Sequence, residues 1–154
     1  MATIDQFKAQ LIGGGARANQ FRVILNTPPG IATGLPLGTS SFFIKAASLP
    51  GQTIPEITVN FRGRQLFLAG DRTFETWTTT VLNDTDFAIR NGMERWMNGI
   101  NDLDTNTGVT NVTDYTADMV VQQLDRDDTV LKQYTLTSCW PQALAPIELS
   151  MDTV

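Results

Sequence analysis

The side chains that most often do chemistry are nearly missing from this sequence. Its 154 residues contain no histidine and a single cysteine, Cys139. Without imidazole there is neither the commonest general base nor the commonest metal ligand, and no triad built around it. One cysteine makes neither an intrachain disulfide nor a cysteine-rich zinc site. In the stretch Thr137-Ser138-Cys139-Trp140 it reads as a buried structural thiol. Asp125, Asp127 and Asp128 resemble oxygen ligands for calcium, but they lack the glycine and the distal glutamate of a calcium loop. A hairpin turn is the expected reading. Gly13-Gly14-Gly15 has the composition of a phosphate cradle, yet no strand precedes it and no Lys-Ser/Thr follows, so a hinge is expected. The remaining carboxylates are scattered through turns. No catalytic residue, metal or cofactor is expected.

The chain is sized for one domain, and 42% hydrophobic residues suffice to build a core. Its net charge of −5 argues against tight reading of nucleic acid, because an acidic surface repels phosphate. The charge is uneven. Up to residue 70, six basic residues face two acidic ones, a net of +4; the remainder holds five against fourteen, a net of −9. Solvated acids explain such a bias, and so does a basic face on one copy meeting an acidic face on the next. The start, Met1-Ala2-Thr3-Ile4-Asp5, does not look like a signal peptide, and no run approaches the ~20 apolar residues of a membrane span. A reducing cytoplasm is the expected setting, and the Asn-x-Thr triplets at Asn83 and Asn111 read as chance.

The elements that would position any site are mostly strands. Ile4, Phe7, Leu11 and Ile12 share one side of a short N-terminal helix, with Thr3 as its cap and the glycines ending an arm of residues 1–15. Strands are predicted at Phe21–Leu25 and Ser41–Ala47, the second ended by Leu49-Pro50-Gly51. Glu56–Phe61 and Gln65–Ala69, joined at Arg62-Gly63-Arg64, have hairpin spacing. The β-branched and aromatic run Thr73–Leu82 reads as one strong strand. A helix follows, with Phe87, Met93, Trp96, Met97 and Ile100 on one face and Arg90, Asn91, Glu94, Arg95 and Asn98 opposite. Beyond a polar loop, Tyr115–Leu124 and Thr129–Trp140 pair about Asp125–Asp128, and a last short strand is expected at Ile147–Met151. The pattern implies an antiparallel β-sandwich or partial barrel with one packed α-helix. Trp77, Phe87, Trp96 and Trp140 are expected to fill the space between helix and sheet.

The run Ala69-Gly70-Asp71-Arg72-Thr73-Phe74-Glu75-Thr76-Trp77-Thr78-Thr79-Thr80-Val81-Leu82-Asn83-Asp84 closely resembles a signature of tail tube proteins from contractile-tailed, myovirus-type bacteriophages. Ala16-Arg17-Ala18-Asn19-Gln20-Phe21-Arg22-Val23 resembles that family's approach to its first strand, and Lys45-Ala46-Ala47-Ser48-Leu49-Pro50-Gly51 the turn after its second. The helix around Trp96 and the late Trp140-Pro141 agree in order, so the resemblance spans roughly residues 16 to 152. Family members usually continue past a segment like Ile147–Thr153 into a final aromatic-rich strand. Here either the sheet is one strand shorter or the sequence omits a segment, and a missing strand leaves an edge for a neighbour to cover.

The resemblance implies a structural virion protein and a single tail tube domain over 1–154. Hexameric rings would stack into a tube whose inner wall is a continuous β-barrel, enclosed by the contractile sheath. Implied partners are copies of itself, the tail sheath, the baseplate, the tape measure protein and the tail terminator. The implied place is the virion tail, assembled in the host cytoplasm. Phage DNA would pass through without specific binding, along a wall that is not basic. Within that frame an extended hairpin over 52–72 would contact neighbouring subunits, with Arg62, Arg64, Asp71 and Arg72 as candidate interface residues. The same fold serves type VI-like secretion and contractile injection tubes, which is the alternative reading. A small β-barrel enzyme or binding module should concentrate polar groups in a pocket, and nothing in the sequence does so.

Overall fold

The computed structural model describes residues 3–11, 14–36, 38 and 40–152. Ile12 and Gly13 of the expected N-terminal arm, and Thr153 and Val154 at the other end, lie outside the described residues. The chain is mainly β, with antiparallel sheets and a few helices. Among the described residues no closed barrel forms.

Helix α1 (Ile4–Gln10) begins at Thr3, whose hydroxyl accepts from the Gln6 backbone N–H while the Gln6 side chain accepts from the Thr3 N–H. This reciprocal box satisfies two amides that the first turn would otherwise leave without partners. None of its residues is buried. Its apolar side chains Ile4 and Phe7 face solvent.

The central sheet has the order β1 (Phe21–Ile24), β8 (Ala117–Leu124), β9 (Val130–Cys139). Both contacts are antiparallel, with Val23↔Val121 in the first and Val121↔Tyr134 in the second. Alternation then sends Val23, Met119, Val121, Tyr134 and Leu136 to one face, where they join the core cluster. Asp125–Asp128 closes the β8–β9 hairpin, with Asp125 N–H on the Thr129 carbonyl at 2.8 Å and Asp128 in the left-handed region at φ 65. The expected turn is there.

Helix α3 (Ala88–Ile100) covers this face of the sheet, burying Ile89, Gly92 and Trp96. The buried line therefore runs through Ile89 rather than Phe87. Phe87 is the N-cap, at φ 51, and half-exposed. Gly92 sits mid-helix, where glycine costs up to ~1 kcal/mol relative to alanine. A Cβ there would meet the Leu35 side chain at 2.6 Å, so its absence lets the segment around Thr33 and Leu35 lie directly on the helix. Arg95 of the same helix also holds that segment, its Nη1 donating to the Thr33 carbonyl at 3.0 Å.

Four expectations need correction. Ser41–Ala47 is not all strand: Ser40–Phe43 forms a helical turn, α2, and β2 is Ile44–Ala47. Thr73–Leu82 splits into β6 (Thr73–Phe74) and β7 (Thr79–Val81). The facing chain explains the break, since Pro50 has no N–H to offer a ladder. There Trp77 instead donates its indole N–H to the Ser48 carbonyl at 2.6 Å. Val112–Tyr115 is a short helix, α4, where Tyr115 was expected to start a strand. No strand forms at Ile147–Met151, which runs without regular structure into a turn at the end of the described chain.

Candidate functional site

Strands β2, β3 (Gln52–Thr53) and β4 (Glu56–Phe61) return antiparallel as β5 (Arg64–Ala69), β6 and β7. Pairing runs from Ile44↔Val81 through Ala47↔Thr79, Gln52↔Phe74 and Thr53↔Thr73 to Glu56↔Ala69 and Phe61↔Arg64. The register never slips by more than one residue, so three short ladders form one folded ribbon. Its root lies in the core, where Ile44 is buried and Val81 packs beside it. Its outer six pairs extend about 20 Å at strand rise. Arg62 and Gly63 close the tip at φ 48 and φ 79. Two successive left-handed residues make the tight turn whose twist suits a two-residue hairpin loop.

Every residue of β4 and β5 is exposed. The register sorts them by face. Ile57 opposes Leu68 and Val59 opposes Leu66, with Phe61 next in line opposite Arg64, while Glu56, Thr58, Asn60 and Gln65 alternate to the other side together with Phe67 and Ala69. Phe61 is 66% exposed and Leu66 54%, so a two-stranded element presents an apolar face with nothing of its own chain upon it. An isolated hairpin of this kind is at best marginally stable in water, and contiguous apolar patches of this sort mark interaction surfaces. The Arg62 guanidinium lies 5.3 Å from the centre of the Phe61 ring, which places a cation at the tip. Asp71 and Arg72 sit at the other end of β5, exposed and outside the ladders. Of the four candidate interface residues, Arg62 and Arg64 thus share the tip. Asp71 and Arg72 do not join them there.

The four aromatics expected between helix and sheet are placed differently from one another. Trp96 is 1% exposed and donates to the Tyr115 carbonyl at 2.7 Å. Trp77 borders the core cluster. Phe87 and Trp140 stand outside it, Trp140 half-exposed just beyond the end of β9. The apolar ribbon face was not singled out in the sequence. Its signal was the alternation Ile57, Val59, Phe61 followed by Leu66 and Leu68, which is the same alternation that marks a strand packed on its own core.

Among the described residues, no group of three or more His, Cys, Asp or Glu side chains is arranged to hold a metal ion. The Asp127 carboxylate accepts from Thr129 through both backbone and side chain, which holds its pKa below the usual aspartate value. Cys139 is free, and partial burial pushes its thiol pKa up.

Residues 16–154 match the family described as phage tail tube protein. The chain belongs to this family. It is 32% identical over 156 aligned positions to the tail tube protein of Serratia phage KSP90, covering all of this chain and 88% of that one. It is 30% identical to tail tube protein gp19 of Enterobacteria phage T4 and 31% to that of Enterobacteria phage T6, in each case over 97% of this chain and 87% of the relative. The tail tube family is structural rather than enzymatic, and its members are virion tail components. These relatives favour a phage tail tube subunit over a secretion-system tube. No helix of the described residues is long and apolar enough to cross a membrane.

Proposed function

We propose that this tail tube subunit forms hexameric rings that stack into the inner tube of a contractile tail, through which phage DNA passes into the host cell. The observation that carries the reading is the ribbon from Gln52 to Arg72, whose apolar face its own chain leaves bare. A neighbouring copy supplies the cover, and the Arg62 and Arg64 cations at the tip meet the acidic part of that copy. Within a ring, strands β1 and β9 are the free edges of the central sheet. Pairing them between copies completes a continuous β-barrel and removes both edges. The sheath surrounds this tube, the baseplate starts it, and the tape measure and tail terminator proteins set its extent, all assembled in the host cytoplasm. Phage DNA moves through without specific binding.

Negative-stain electron microscopy of the purified protein, alone and with baseplate, tests the reading. Six-fold rings stacked coaxially are the expected result. A stable monomer at high concentration, with no rings even on baseplates, would sink it.

A further inference from the structure

The ribbon leaves the body through a joint at which its ladder lapses. Beyond the pair Ala47↔Thr79 and before Gln52↔Phe74, the facing runs Ser48–Gly51 and Glu75–Thr78 belong to no strand. Other contacts close the gap. At its outer end the Glu75 N–H donates to the Gly51 carbonyl at 3.2 Å. A Cβ on Gly51 would lie 2.6 Å from Glu75 Oε2, so the bare Cα gives that carboxylate room. At its inner end the Trp77 indole N–H reaches the Ser48 carbonyl at 2.6 Å, while the ring borders the core cluster. Between them Thr76 donates to Gln142 Oε1 at 3.4 Å, and further along that run the Ala145 carbonyl accepts from Arg90 of α3 at 3.0 Å. Trp77 thus bonds the opposite strand with one edge and packs on the core with its ring.

We propose that Trp77 is the positioning residue of the ribbon: its bond to Ser48 fixes the direction in which the ribbon leaves the body. That direction decides where a neighbouring copy meets the Arg62-Gly63 tip, a consequence that rests on the ring reading above. From Gly51 to Phe61 the chain advances up to about 33 Å at strand rise, so a swing of about 10° at the joint moves the tip about 6 Å. Paired strands lie only about 4.8 Å apart, so such a swing carries the tip past a full strand spacing. The lapsed ladder supplies little stiffness against it, keeping the Glu75–Gly51 bond at the outer end. A ring seated on the core, with its N–H aimed at a carbonyl across the ribbon, holds the angle from the body side. Filling volume alone does not call for that aim, because phenylalanine supplies a ring without a donor.

The test uses free subunits of a Cys139→Ser chain, held below the concentration at which tubes form. Spin labels are placed at Asn60→Cys, near the tip, and at Arg126→Cys, in the β8–β9 turn. Double electron–electron resonance reads the distance between them. Trp77→Phe keeps a ring against the core and lacks the donor. Should it not fold, a tryptophan analogue with sulfur in place of the indole N–H, built in at position 77, keeps both rings. Either replacement should raise the fraction of subunits outside the parent distance peak about fivefold, the change that one net hydrogen bond is worth. Its unlabelled form should make tubes only at a higher subunit concentration. An unchanged distance peak overturns the assignment, and a lowered unfolding midpoint beside that unchanged peak marks Trp77 as a core filler alone. Broadened distances in a chain that makes tubes as readily as its parent would overturn the link to assembly. If the parent chain makes no rings in micrographs, the ring reading fails, whereas the distances still decide the role of Trp77.

Discussion

The indole N–H of Trp96 donates to the carbonyl of Tyr115 at 2.7 Å, joining the middle of α3 to the end of α4 just before β8 begins. Trp96 is also the largest of the fully enclosed side chains. One residue thus packs the helix on the sheet and satisfies a carbonyl at the mouth of the central strand. Trp96→Ala should lower subunit stability by about 3–5 kcal/mol, seen as a shifted denaturant midpoint of the unassembled protein. Trp96→Phe keeps most of the volume and leaves the carbonyl without its donor, so a loss of about 1–3 kcal/mol is expected. An unchanged midpoint in Trp96→Ala, with assembly alone impaired, would show that the residue works at an interface.

Arg62 lies in, and Arg64 directly follows, the turn at the end of a ribbon that its own subunit does not cover. Changing both to Glu should reduce the yield of tubes while moving the melting midpoint of the free subunit by no more than about 0.5 kcal/mol equivalent, the usual range for exposed sites. Sedimentation reads the first quantity and thermal unfolding the second. Tube yield equal to the unsubstituted protein would refute a role for the tip in assembly.

Burial raises the pKa of the Cys139 thiol above that of an ordinary cysteine. The neutral thiol is therefore the form that folding favours. Between the unfolded and folded pKa values the native state binds more protons, so this group's contribution to stability declines as pH rises through that alkaline window. A disulfide reagent should accordingly react with native protein more slowly than with urea-unfolded protein at the same pH. Removing the group with Cys139→Ser should flatten the part of the alkaline stability loss that it causes. Equal reaction rates in the two states would contradict the burial argument.

DNA is the fourth case. Tubes should show no tight binding of double-stranded DNA, even at low salt where phosphate contacts are strongest. Whatever residual retention occurs should fall with added salt, as screening weakens any phosphate contact. Filter retention of labelled DNA across a salt series measures this. Tight, salt-sensitive binding would overturn the picture of a non-binding conduit.

Much of the chain's local order was readable because particular residues leave one option open. Arg62-Gly63 between two alternating runs permits little but a tight hairpin, and Asp125–Asp128 punctuates β8 and β9 in the same way. The failures are equally specific. Thr73–Leu82 has strand propensity throughout, but propensity is silent about the facing chain, where Pro50 interrupts the ladder and Ser48 takes the Trp77 indole. Phe87 lay in phase with Trp96 yet became the cap of the helix, because its left-handed backbone precedes the first turn and Ile89 supplies the buried contact. The ribbon was legible as a hairpin. That its apolar face is bare was not, since alternation looks the same whether the covering surface belongs to the same chain or to another.

The ribbon's geometry also decides how a mechanical load would travel. Both of its strands return to the body, one ending at Ile44 and the other at Val81, and these two residues pair with each other at the edge of the core. A pull on the Arg62-Gly63 tip is then carried down two covalent backbones at once, with the ladder hydrogen bonds lying across the direction of tension. Such a strut does not unzip from its end. Force applied at the tip arrives at the packed interior, so a neighbour gripping the ribbon pulls on the whole subunit.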